Sequence, residues 1–240
     1  RMMDEPQKVV DGLRIVLTLF EHAKGCICIE DNKPDCIRKM KELVQDIPRI
    51  EVKELMTKYP QGGERTLIYA VTGREINSSM LPADVGCVVD NVETMVAICN
   101  AVLLGRPVMS RIITITGDGI SHPAHYEVLT GTNVEELVQA AGGLKDNVKK
   151  VISGGPMMGF AMFDLHVPCT KTSSALLCMA EDPASESEAT ACINCGRCVK
   201  VCPGHVMPSR LATLAEHGDL EGFQKMDGME CCECGCCSYI

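Results

Sequence analysis

The chain has 240 residues, 46% hydrophobic and 23% charged, with a formal net charge of -9 and 16 cysteines. That acidic balance argues against a nucleic-acid surface, and 3% aromatic content without tryptophan argues against stacked bases or sugar platforms. No apolar run approaches the ~20 residues of a membrane helix, and cysteines packed in triplets without a secretory leader fit a reducing compartment better than disulfides.

The opening, Arg1-Met2-Met3-Asp4-Glu5-Pro6, reads as an entry into the middle of a domain. Val9, Val10, Leu13, Val16, Leu17 and Phe20 recur at helical spacing, predicting a helix over about 6–24 with Pro6 at its start and Gly25 past its end. A strand is expected at Cys26–Glu30, a helix from Pro34 to about Gln45, and a short strand at Ile50–Leu55. This alternation implies a layered sheet covered by helices. Gly62–Val71 reads as a helix stopped by Gly73, Val85–Val89 as a buried strand, and Asn91 as the cap of a helix reaching about Leu104 before Gly105. After Pro107 the pattern changes. Val108–Thr116 and Tyr126–Leu129 read as strands, Thr132 or Asn133 caps a helix to Ala141, and Lys150–Ile152 reads as a further strand. The acidic stretch Ala180–Thr190 reads as a linker. Beyond it, Pro208–His217 and a helix capped by Asp219 predict an all-helical end.

The cysteines carry the most specific chemistry. Cys192, Cys195, Cys198 and Cys202 spell C-x2-C-x2-C-x3-C followed by Pro203, the spacing with which a loop wraps a [4Fe-4S] cubane. Cys231, Cys234 and Cys237 open a second copy, and Ile240 stands one residue short of the fourth position. In two-cluster ferredoxins the fourth cysteine of each motif serves the other cluster. Cys231, Cys234, Cys237 and Cys202 therefore form one complete set, and Cys192, Cys195 and Cys198 a second set lacking one thiolate. Structural zinc normally pairs two C-x2-C knuckles much farther apart. Cys232 and Cys236 lie off the spacing and read as neighbours. Cys26, Cys28, Cys36, Cys87, Cys99, Cys169 and Cys178 read as small core hydrophobes. His205, three residues past Cys202, is near enough to tune a cluster by hydrogen bonding.

Other motifs are weaker by physics alone. Lys58-Tyr59-Pro60-Gln61-Gly62-Gly63-Glu64 puts paired glycines before a helix, which suits a phosphate as well as an ordinary turn. Asp90-Asn91-Val92-Glu93-Thr94 is a cap that could face a ligand. Gly154-Gly155-Pro156-Met157-Met158-Gly159 is not a G-x-G-x-x-G loop and reads as a rigid connector. The six histidines have no zinc-hydrolase spacing, and no G-x-S-x-G elbow exists.

Taken in order, Lys58–Glu64, Leu81-Pro-Ala-Asp-Val-Gly86, Thr114-Ile-Thr-Gly-Asp118, Ser153–Gly159 and the two cysteine motifs resemble the RnfC family. Its members are the NADH-dehydrogenase subunits of the Rnf ion-translocating ferredoxin:NAD oxidoreductases. The resemblance covers essentially the whole chain. More remotely, the chain resembles the flavin-bearing subunit of respiratory complex I. The resemblance implies an α/β fold in parts. Residues 1–106 would be the C-terminal part of an FMN/NADH-binding domain. Residues 107–179 would be a β-grasp-like SLBB module, 180–190 a linker, and 191–240 a truncated ferredoxin-type domain for two clusters. It implies FMN held by Tyr59, Gly62, Gly63, Glu64, Asp90, Asn91 and Thr94, although the complex I pattern has asparagine where this chain has Asp90. It also implies NAD(H) as electron source, other Rnf membrane subunits and ferredoxin-type proteins as partners, and a peripheral place on the cytoplasmic face of the bacterial cell membrane. No acid–base catalyst is expected, because hydride transfer needs positioning more than proton shuttling. The isolated chain is expected to bind flavin weakly or not at all. The related flavin and iron–sulfur cobalamin reductase and a non-catalytic electron-wiring module are the rival readings. A zinc-binding interaction module is a weaker third.

Overall fold

The computed structural model describes residues 1–188 and 190–240, and by internal contacts the chain divides into two units, Arg1–Pro107 and Val108–Ile240. In the first unit, α1 (Pro6–Leu17) starts on its proline and buries Val9, Val10 and Leu17. It is shorter than the periodicity predicted, because Thr18–Lys24 turns away to reach β1 (Gly25–Glu30). The helix α2 (Pro34–Val44) crosses over to β2 (Ile50–Leu55), which pairs parallel to β1 with Gly25 opposite Ile50 and Ile29 opposite Glu54. Strand alternation sends Gly25, Ile27 and Ile29 to the core side, where Met40 of α2 and Val9 and Val10 of α1 meet them.

Helix α3 (Glu64–Thr72) ends on Gly73 in the left-handed region, as its sequence predicts. The predicted strand over Val85–Val89 does not form. Pro82–Val85 is instead a 3-10 turn closed by left-handed Gly86, and the residues that follow before Asn91 belong to no strand. A strand needs a neighbour to satisfy its backbone, and the sheet here is only the pair β1–β2. Helix α4 (Val92–Leu104) lies along α1, with Met95 and Val96 in the same core. The approach is close because residue 12 is glycine: a Cβ there would sit 2.0 Å from the Met95 carbonyl oxygen.

The second unit is built on a five-stranded sheet. Its members in chain order are β3 (Ser110–Thr116), β4 (Ala124–Leu129), β5 (Lys150–Ser153), β6 (Phe160–Ala161) and β7 (Ala175–Met179). The spatial order is β4-β3-β7-β5-β6, with β3 parallel to β7 and the other pairs antiparallel. Helix α5 (Val134–Ala140), capped by the Asn133 side chain, lays Val134, Leu137 and Val138 on Ile113, Ile115 and Leu176. Strands β6 and β7 escape the sequence reading. β6 is a two-residue edge piece, and β7 (Ala-Leu-Leu-Cys-Met) is apolar throughout, so its sequence hides the alternation that its burial shows, with Leu176 and Cys178 turned to the core.

The stretch expected as a linker is partly anchored. Ala180 and Asp182 are buried, Asp182 pairs with Lys150, and α6 (Pro183–Glu186) places Glu186 against Lys149. Position 189, inside the expected 180–190 linker, lies outside the described residues. The remainder is helical: α7 (Arg197–Lys200), α8 (Pro208–Glu216), α9 (Leu220–Lys225), a 3-10 turn at Gly228–Glu230 and α10 (Cys236–Tyr239).

Candidate iron–sulfur and flavin site

Short polar loops with alternating left-handed residues turn their backbone N–H groups inward and make a cradle for anions. Both cysteine motifs are built this way. Between Cys192 and Cys195, Asn194 takes φ 56°, and Gly196 takes φ 73° just after Cys195. Between Cys231 and Cys234, Glu233 takes φ 52°, and Gly235 takes φ 78° just after Cys234. The left-handed residues thus fall two and four positions past the first cysteine in each copy. Each loop then runs into one turn of helix, α7 or α10, and these two helices lie against each other.

Backbone N–H groups already point at sulfur. The Asn194 amide donates to Cys192 Sγ at 3.4 Å, and the Cys236 amide donates to Cys234 Sγ. Burial pushes the Cys234 thiol up, but hydrogen bonds from the Cys236 amide and from the Cys236 and Cys232 thiols outweigh it, and the group lies below its ordinary range. The same contacts, after burial, push Cys236 up to about 11. The off-spacing residues Cys232 and Cys236 therefore touch a motif cysteine, which the spacing did not reveal.

Cys202 lies past α7, its amide donating to the Val199 carbonyl at 3.2 Å. Two residues later Gly204 runs so close to the second motif that a Cβ on it would stand 2.8 Å from the Glu230 carbonyl oxygen, next to Cys231. His205, itself at φ 53°, is exposed. On the other side, a Cβ on Gly235 would meet the Met157 carbonyl oxygen at 2.6 Å, so the connector Gly154–Gly159 braces the second loop. Among the described residues no three His, Cys, Asp or Glu side chains converge as the ligands of a single ion. A cubane asks for something different, since each of its thiolates binds a separate iron around a cage. The donor set of paired C-x2-C-x2-C loops lined with inward amides fits such a group.

The residues that the resemblance assigns to FMN form two separately organised groups in the first unit. Tyr59, Gly62, Gly63 and Glu64 lie on an exposed turn and the first residue of α3. The Gly63 amide donates to the Pro60 carbonyl at 2.7 Å and Thr66 Oγ1 to the same oxygen at 2.7 Å, which fixes the turn against the helix. A Cβ on Gly62 would meet nothing within 4 Å, so that backbone faces open space from which a ligand could approach. Asp90 and Asn91 are exposed at the start of α4, and Thr94 is half-buried in its first turn. Asn91 Oδ1 accepts from the Glu93 amide at 2.9 Å, which orients the side chain and leaves its Nδ2 group as a donor. Glu93 faces Arg1, whose Nε donates to it at 2.8 Å and Nη2 at 3.0 Å. A shallow groove along α2 and Glu54 shares no residue with either group.

Thr114–Asp118, which the sequence singled out only by resemblance, has a structural role. Asp118 accepts the amides of Ala180 at 2.9 Å and Glu181 at 3.0 Å, tying the end of β3 to the exit of β7.

The two units match different family models. Residues 1–100 match the family model of the Nuo51 FMN-binding domain, and residues 112–161 that of the SLBB domain. Over 90% of its length the chain is 43% identical to the C subunit of the proton-translocating ferredoxin:NAD(+) oxidoreductase complex of Clostridium ljungdahlii, covering 47% of that protein. Over 95% it is 40% identical to the C subunit of the Na(+)-translocating ferredoxin:NAD(+) oxidoreductase complex of Acetobacterium woodii, covering 52% of it. Over 94% it is 39% identical to the C subunit of the ion-translocating oxidoreductase complex of Pseudomonas aeruginosa, covering 30%. The chain spans about half the length of the first two relatives.

Proposed function

We propose, from the premise that this chain belongs to the family of C subunits of ion-translocating ferredoxin:NAD(+) oxidoreductase complexes, that it is the part of such a protein that conducts electrons between a flavin and iron–sulfur clusters. The observation that carries this reading is the repeated loop geometry of the two cysteine motifs, with Asn194 and Gly196 matched by Glu233 and Gly235. When bound, FMN supplies the conversion of a two-electron hydride donor into single electrons, and the clusters supply one-electron conduction.

The residues divide the work as follows. Cys231, Cys234, Cys237 and Cys202 would hold one [4Fe-4S] cluster, and Cys192, Cys195 and Cys198 three irons of another. The inward amides of both loops would offset thiolate charge. Tyr59, Gly62, Gly63 and Glu64 with Asp90, Asn91 and Thr94 would hold FMN against the N-terminal ends of α3 and α4, where a phosphate is favoured. Glu64 would lie beside the nicotinamide of NAD(H). The domain assignment we propose is flavin in 1–106, SLBB in 107–179 and clusters in 191–240. Among the described residues no helix is long and apolar enough to cross a membrane, so attachment to the cytoplasmic face would run through other members of the complex, with ferredoxin-type proteins as electron partners.

The test is the iron and sulfide content of anaerobically reconstituted protein. Cys234→Ser is expected to remove the better-held cluster, about half or more of the bound iron, and Cys202→Ser to do the same although it belongs to the other motif. Cys232→Ser is expected to keep the iron. Loss of iron from Cys232→Ser but not Cys202→Ser would overturn the ligand sharing, and colourless zinc-loaded protein would overturn the redox reading altogether.

A further inference from the structure

We propose that Cys26 and Cys28 form a second, cluster-independent metal site, a dithiolate pair for a divalent thiophilic d10 cation such as Zn2+. Residues two apart on a strand share a face, and here that face is opposite the core side taken by Ile27 and Ile29. Both thiols are half-buried, so a solvated ion can reach them. Their sulfurs stand 3.7 Å apart. With metal–sulfur bonds of ~2.3 Å, sulfurs at 3.7 Å subtend about 107° at the ion, close to the tetrahedral angle that Zn2+ adopts and far from the linear arrangement of a two-coordinate ion.

The surroundings suit such an ion. Glu51 pairs with Cys26 and Lys53 with Cys28 in the parallel register, so both lie on the cysteine face. Lys53 Nζ donates to the Val71 carbonyl at 2.9 Å and sits 3.6 Å from Glu51, so its charge is held beside the thiols but answered by other groups. Binding breaks both S–H bonds, forms two metal–sulfur bonds and releases two protons to solvent, without any change of oxidation state. No third His, Cys, Asp or Glu joins the pair as a ligand among the described residues. The ion would keep two exchangeable positions, as in an open rather than a structural site.

The test uses the full chain with its cluster motifs first loaded anaerobically with iron and sulfide, then titrated with 113Cd2+ as the probe. One equivalent is expected to bind, with a 113Cd resonance in the range of two-sulfur coordination. The double variant C26S/C28S should lose that equivalent and the resonance. C28S alone should weaken it at least tenfold, and C36S, whose thiol packs on the core side, should leave it unchanged. Equal cadmium stoichiometry in wild type and C26S/C28S, or no binding by wild type, would overturn the site. Because the cluster motifs are filled beforehand, that failure would leave the iron–sulfur assignment standing.

Discussion

Asp118 and Asp182 show how single side chains lock the second unit. The amides of Ala180 and Glu181 hold the Asp118 carboxyl below its ordinary value, and Lys150 does the same for Asp182. A carboxylate whose folded pKa is depressed contributes stability above its unfolded value of 3.8 and loses it as the pH falls through the folded one. Thermal midpoints followed from pH 6 to pH 3 should therefore drop most steeply below about 4. In Asp118→Asn the drop should be shallower from a lower starting point, because the side chain no longer titrates and the NH2 group replacing one oxygen cannot accept its N–H. The neighbouring Gly117 has φ 112°, and a Cβ there would lie 2.0 Å from the Cys178 carbonyl oxygen. Gly117→Ala should cost at least about 2 kcal/mol in urea unfolding, from backbone strain and overlap together. Neither role can be read locally from Thr-Gly-Asp, since the partners lie some sixty residues away in sequence.

At the scale of elements, most helices and strands were legible because period and punctuation agreed. Asn91 and Asn133 do cap α4 and α5, and Gly73 and Gly105 do end α3 and α4 in the left-handed region. The miss at Val85–Val89 came from reading an apolar run as a strand when no partner was there to pair it. The close packing of α1 on α4 was equally hidden, since nothing near Gly12 in the sequence names Met95 as its neighbour. Gly12→Ala should force the two helices apart and destabilise the first unit by ~1–3 kcal/mol, measurable as a lower urea midpoint. Gly204→Ala belongs to the same scale. By pushing the segment after Cys202 away from Glu230 it should lower iron retention while leaving the far-ultraviolet helix signal nearly unchanged.

For the whole molecule, the family was legible because four motifs and two cysteine runs occur in a fixed order. The chain's own competence depends on whether the seven residues proposed for FMN suffice to hold it. With NADH and an artificial acceptor, turnover is expected to be absent or to appear only when FMN is added in excess. Activity without added FMN would show a complete cradle and exclude a purely conducting role. What the sequence determined by itself was local: caps, turn glycines, strand faces and cysteine spacing all act within a few residues. The tertiary structure alone decided which distant groups meet: Gly204 on Glu230, Gly235 on Met157, Asp118 on Ala180, and the shared face of β1 and β2 that joins Cys26 and Cys28 to Glu51 and Lys53. Such contacts depend on chain reversal and register, which bring together residues that carry no mark of each other in the linear order.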